Sequence, residues 1–215
     1  MKLNLDNPFF HALGNLVDCL WVSILWLLCC IPIITIGAAT TALYYTVHKS
    51  ILGGRGYTTR NFFKSLKENF KPATLSWLAV LAVWLVLVAD IVITHKVLIS
   101  GSRMGMFFYF FVFVLVFAVG WACYVFPYIA RFANTVKATL QNGFFMELRH
   151  LAWSILLVVI LGVALLLVWF IPVLTFLIPS VTAIMFDLIL ERIFREYMSP
   201  EDLEKELENK QMDEM

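Results

Sequence analysis

The sequence predicts an all-α polytopic transmembrane bundle, and three observations carry that prediction. Of the 215 residues, 61% are hydrophobic and only 14% are charged, whereas soluble domains carry about 25% charged residues. The charges gather in short segments between long apolar runs. Proline and glycine then cut those runs into pieces close to the roughly 20 residues that a helix needs to cross a bilayer. The division this implies is one transmembrane helical domain over 1–198 and an acidic tail over 199–215.

Six helices follow in order. The first runs over about Pro8–Ile31, with Asp6 or Asn7 as its cap and Pro8 in its first turn. No small-x-small site follows it, so it reads as a span and not a cleaved signal. Ile31-Pro32-Ile33-Ile34-Thr35-Ile36-Gly37 breaks the run, and a second helix covers about Gly37–Leu52. Apolar runs at Pro72–Ile99, Met104–Ala133, Leu151–Ile171 and Val173–Leu190 supply the others. A five-span alternative lets residues 16–47 cross once.

Charge sets the orientation. Lys49, Arg55, Arg60, Lys64, Lys67 and Lys71 crowd one loop with Glu68 as the only acid. Basic loops mark the cytoplasmic side. Arg131, Lys137 and Arg149, then Arg192 and Arg195, follow the fourth and sixth helices, so both termini are expected in the cytoplasm. A net charge of +1 gives no basis for nucleic-acid binding.

The basic loop has a helix of its own. Phe62, Leu66 and Phe70 recur every four residues with Phe63 beside them, while Lys64 and Lys67 lie across from that stripe. This spacing predicts an amphipathic interfacial helix with aromatics toward acyl chains and cations toward anionic headgroups. Val136, Leu140, Phe144 and Leu148 repeat the theme over 135–149. A weak internal repetition links Ile31-Pro32-Ile33-Ile34-Thr35 to Ile171-Pro172-Val173-Leu174-Thr175.

Chemistry-bearing residues are sparse. Asp90, inside the third helix, is the foremost intramembrane candidate, because a carboxylate there is costly unless it has a use. A hydrogen-bonded structural acid near the outer interface is the plainer reading. Asp18 and Asp187 lie near helix ends, and Asp187, Glu191 and Arg195 share a face at i, i+4, i+8, which reads as structural pairing. His11, His48, His95 and His150 are isolated in sequence, and Cys19, Cys29, Cys30 and Cys123 show no metal or redox spacing. No GxSxG, HExxH, kinase set or phosphate-binding loop occurs. No enzyme, metal or cofactor is therefore expected.

Several segments resemble the YesL family of small bacterial membrane proteins. These are Asn7-Pro8-Phe9-Phe10, Ile31 to Tyr44 with the Pro32, Thr35 and Gly37 turn, Asn61-Phe62-Phe63, Phe70-Lys71-Pro72-Ala73 and Phe126 to Phe132. The resemblance implies a bacterial membrane protein of unknown function whose genes often neighbour carbohydrate ABC importers. It implies no catalytic residues. Two functional expectations result: an accessory partner of such an importer, from the amphipathic loop helices, the acidic tail and this gene neighbourhood, or a small secondary transporter acting as a homo-oligomer in the lipid bilayer, from Asp90 and the proline-broken hairpins.

Overall fold

The computed structural model describes residues 8–54 and 57–198. The predicted cap at Asp6 or Asn7, the basic residue Arg55 and the acidic tail from 199 lie outside the described residues. Among those described, every regular element is helical. The helices are α1 (Pro8–Cys30), α2 (Ile36–Thr46), α3 (Thr58–Glu68), α4 (Phe70–Ile99), α5 (Phe107–Arg131), α6 (Val136–Arg149), α7 (Leu151–Phe170) and α8 (Ile178–Arg195).

Two of these, α3 and α6, are the expected loop helices, which leaves six for the bundle. Four of the six are long and apolar enough to cross a membrane: α1 over Leu13–Cys30, α4, α5 with its preceding turn, and α7. The six expected spans thus divide. The second ends as an α-helix at Thr46 and continues as a π-helical turn over Val47–Leu52. The sixth begins only at Ile178, after a 3-10 turn over Pro172–Phe176, and carries Asp187, Glu191, Arg192 and Arg195.

The short α2 is the hub of the bundle. It packs against α1, α3, α4, α5 and α8, and Gly37, Ala38, Ala39, Thr41, Ala42, Leu43, Tyr44 and Thr46 are all buried. Small side chains allow this, because they let neighbouring backbones approach on several sides. Gly37 is the extreme case. A Cβ there would lie 2.6 Å from Trp77 Cβ and 2.7 Å from the Ala73 carbonyl oxygen.

The outside of the bundle is apolar. Leu85, Val86 and Ile93 on α4, Phe110 and Phe113 on α5, and Leu165, Leu166 and Trp169 on α7 are exposed. That surface suits hydrocarbon, where helices are held by close packing and internal hydrogen bonds more than by apolar burial. Internal hydrogen bonds are present. Ser23 Oγ and Ser180 Oγ lie 2.8 Å apart and Ser180 Oγ donates to the Cys19 carbonyl at 2.7 Å, which ties α1 to α8. Trp84 Nε1 donates to the Ala118 carbonyl at 3.3 Å between α4 and α5.

The two proline corners share one construction. Thr35 Oγ1 donates to the Pro32 carbonyl at 2.7 Å, and Thr175 Oγ1 to the Pro172 carbonyl at 2.6 Å. Each threonine closes a 3-10 turn that joins a long helix to a shorter one, α1 to α2 and α7 to α8. The sequence repetition therefore has a structural counterpart at these turns. Trp77 Nε1 also donates to the Ile33 carbonyl at 2.7 Å, clamping the first corner to α4.

Candidate functional site

Two i, i+4 pairs face each other where α2 meets α8. Tyr44 and His48 come from α2 and the π-helical turn that extends it, and Asp187 and Glu191 come from α8. Residues four apart share a helix face, so each pair projects together. His48 Nδ1 lies 2.8 Å from Asp187 Oδ1 and 3.6 Å from Glu191 Oε1. Tyr44 Oη donates to Glu191 Oε1 at 3.2 Å.

Arg131, the last residue of α5, completes the cluster. Its Nη2 donates to Glu191 Oε2 at 2.9 Å, and its Nε lies 2.8 Å from Glu191 Oε1. Asp187 and Glu191 are buried. Buried carboxylates persist only where partners replace their lost hydration, and here an imidazole, a guanidinium and a phenol do so. The π-helical turn matters to this arrangement, since such turns are rare and recur at functional sites.

His48, Asp187 and Glu191 offer one nitrogen and two oxygens within 4.8 Å of one another. Those donor types suit a divalent ion such as zinc. The fit is poor all the same, because Arg131 places a positive charge directly on Glu191 and His48 already bonds Asp187. The cluster is satisfied as an ion-pair network. His48 is thus not isolated as its sequence surroundings suggest, and the partners of Asp187 and Glu191 come from other helices.

A second buried acid stands apart. Glu147 on α6 is 1% exposed. Its Oε2 is buried without a hydrogen-bond partner. The carboxyl is seated against Gly120 of α5, where a Cβ would overlap Oε1. Burial pushes its pKa up to about 8, because desolvation penalises the charged form. Glu147 stands in a basic segment two residues before the end of α6, and nothing in that local setting signals burial.

Asp90 is half-buried on α4. Its backbone carbonyl accepts from Thr94 Oγ1 at 2.7 Å, and no hydrogen bond or ion pair joins its carboxylate to another described residue.

The loop helices dock through an unexpected face. On α3, Thr58, Asn61, Phe62 and Ser65 are buried. Phe62, expected among the lipid-facing aromatics, is fully buried beside Cys19, Val22 and Leu43, because the hub α2 and its neighbour α1 cover that side of α3. Asn61 Nδ2 donates to Ser50 Oγ at 2.8 Å, and Trp21 Nε1 to Thr59 Oγ1 at 2.8 Å. Phe63 and Phe70 stay exposed, and with Leu66, Lys67 and Lys71 they line an open groove. Lys64 is exposed and lies 4.0 Å from Glu68. On α6, Thr139, Gly143, Met146 and Glu147 face inward, while Phe144, Phe145 and Leu148 face outward.

Residues 19–91 match the model of a family described as "Protein of unknown function, DUF624". The matched stretch includes the Pro32, Thr35 and Gly37 corner, α2, His48, all of α3 and Asp90. Arg131, Glu147, Asp187 and Glu191 lie beyond it. No curated protein and no solved structure matches the chain.

Proposed function

We propose that this protein is a non-enzymatic accessory subunit of the bacterial cell membrane, with both termini in the cytoplasm, that partners a carbohydrate ABC importer. The observation that carries this reading is the docking of α3. Thr58, Asn61, Phe62 and Ser65 are buried in the bundle, and Phe63, Lys64 and Lys67, with half-buried Leu66 and with Phe70 at the start of α4, are left as an amphipathic platform on the basic side. α6 presents Phe144, Phe145 and Leu148 in the same way. An amphipathic face of this kind fits both the membrane interface and a partner helix. The resemblance to the YesL family supplies the carbohydrate component of the proposal.

Purification of the tagged protein from its native membrane in mild detergent, followed by mass spectrometry, tests this. Stoichiometric permease and solute-binding subunits are expected, and they should be depleted in a Phe63→Ser/Phe70→Ser variant that keeps its thermal stability. A homo-oligomer without such subunits would overturn the partner reading.

A second reading, a small secondary transporter acting as an oligomer, is favoured by the costly ionisable groups placed among the helices: Asp90 and the His48, Asp187, Glu191 and Arg131 cluster. A proton-coupled form predicts that Asp90→Asn abolishes sugar uptake in cells that depend on this protein. Unchanged uptake removes Asp90 from any mechanism.

A further inference from the structure

The geometry around Glu147 points to a proton-binding site that latches α6 onto the bundle: the neutral acid lets α6 sit on α4, α5 and α7, and the ionised carboxylate weakens that seat. This inference goes beyond the partner role and does not depend on it.

Three observations carry it. Glu147 is 1% exposed, on the inward stripe of α6 that Thr139, Gly143 and Met146 share. Its Oε2 is buried with no hydrogen-bond partner, an arrangement that an unprotonated carboxylate tolerates poorly. Gly120 provides the space opposite, since any side chain there would meet Oε1.

The groups facing Glu147 give its charge no compensation. From α5 come Gly120 and the neutral Cys123 thiol and Tyr124 phenol. From α7 come Val158 and Ser154, and Ser154 Oγ donates to the Glu147 and His150 carbonyl oxygens, not to the carboxylate. On its own side, Arg149 is turned to the Tyr197 ring, and His150 to Tyr197 Oη and Glu196. No cation among the described residues pairs with Glu147.

The direction of the pH effect follows from burial. The carboxyl titrates near 8 when α6 is docked and near the ordinary carboxylate value of about 4.5 when α6 is free. The docked state therefore holds the extra proton. Docking is at full strength below the lower value and weakens as pH rises toward the upper one, where the docked acid itself ionises. Above that point no further loss is expected.

Hydrogen exchange of residues 136–149 in the intact protein, measured in detergent micelles from about pH 5 to about pH 9 with intrinsic rates divided out, tests the latch. The opening constant of α6 should rise by up to about tenfold per pH unit through this window and level off above pH 8. Glu147→Gln, uncharged at every pH, should stay protected with a flat profile. Glu147→Met serves the same purpose if the glutamine variant does not fold. Gly120→Ala should expose α6 at every pH by displacing the carboxyl. A flat wild-type profile, or a profile that the Glu147 variants share, overturns the inference.

Discussion

Single residues here act through the space they leave as much as through the contacts they make. Gly37 and Gly162 both lie in bundle helices, yet their surroundings differ. A Cβ at Gly37 would press on Trp77, Ala73 and Phe126, whereas one at Gly162 meets nothing within 4 Å. Gly37→Ala should therefore cost about 1–3 kcal/mol through overpacking. Gly162→Ala should be neutral or gain up to about 1 kcal/mol from the higher helix propensity of alanine. Thermal unfolding in detergent measures both, and equal midpoints for the two variants would refute the account of α2 as a tightly enclosed hub. The Pro32, Thr35 and Gly37 turn was legible as a helix break, but its reasons were not. Thr35 closes the turn through the Pro32 carbonyl, and Gly37 makes room for α4 and α5.

Elements show where periodicity informs and where it misleads. The apolar repeat located α3 through Phe62 and Leu66, but α3 ends at Glu68 and Phe70 opens α4. The repeat did not reveal which side docks, because in a membrane an apolar stripe suits the lipid side as well as the protein side. The inward stripes of α3 and α6 contain Asn61, Ser65, Thr139, Gly143 and Glu147, residue types that a soluble-protein pattern assigns to solvent. Glu147 was missed for that reason. The ion-pair cluster was missed for another one. Its i, i+4 pairs, Tyr44 with His48 and Asp187 with Glu191, were visible in the sequence. Their juxtaposition spans 139 residues between His48 and Asp187, and nothing local encodes such a pairing.

At the scale of the whole molecule, the six bundle helices divide by length and charge. Four satisfy the length and composition of a span. α2 with its π-helical extension is shorter, and α8 is charged toward its end. The proposed orientation, with both termini in the cytoplasm, predicts that the turn at Tyr57 faces inward and the turn at Met104 outward. Both side chains are exposed, at 81% and 70%. In a background without the four native cysteines, Tyr57→Cys should be labelled by an impermeant thiol reagent only in inverted vesicles, and Met104→Cys only in right-side-out cells. Labelling of both from one side would exclude an odd number of crossings between them and the six-helix orientation with it. By itself the sequence determined the class, the number of bundle helices, the proline corners and the presence of two loop helices, because each rests on composition, spacing or a breaker within one short stretch. Only the tertiary structure decided that α2 is the buried hub, which face of α3 and α6 docks, and that His48, Arg131, Asp187 and Glu191 converge while Glu147 is left alone. Those outcomes depend on which distant backbones approach one another, and close approach is set by packing across the bundle and not by any local run of residues.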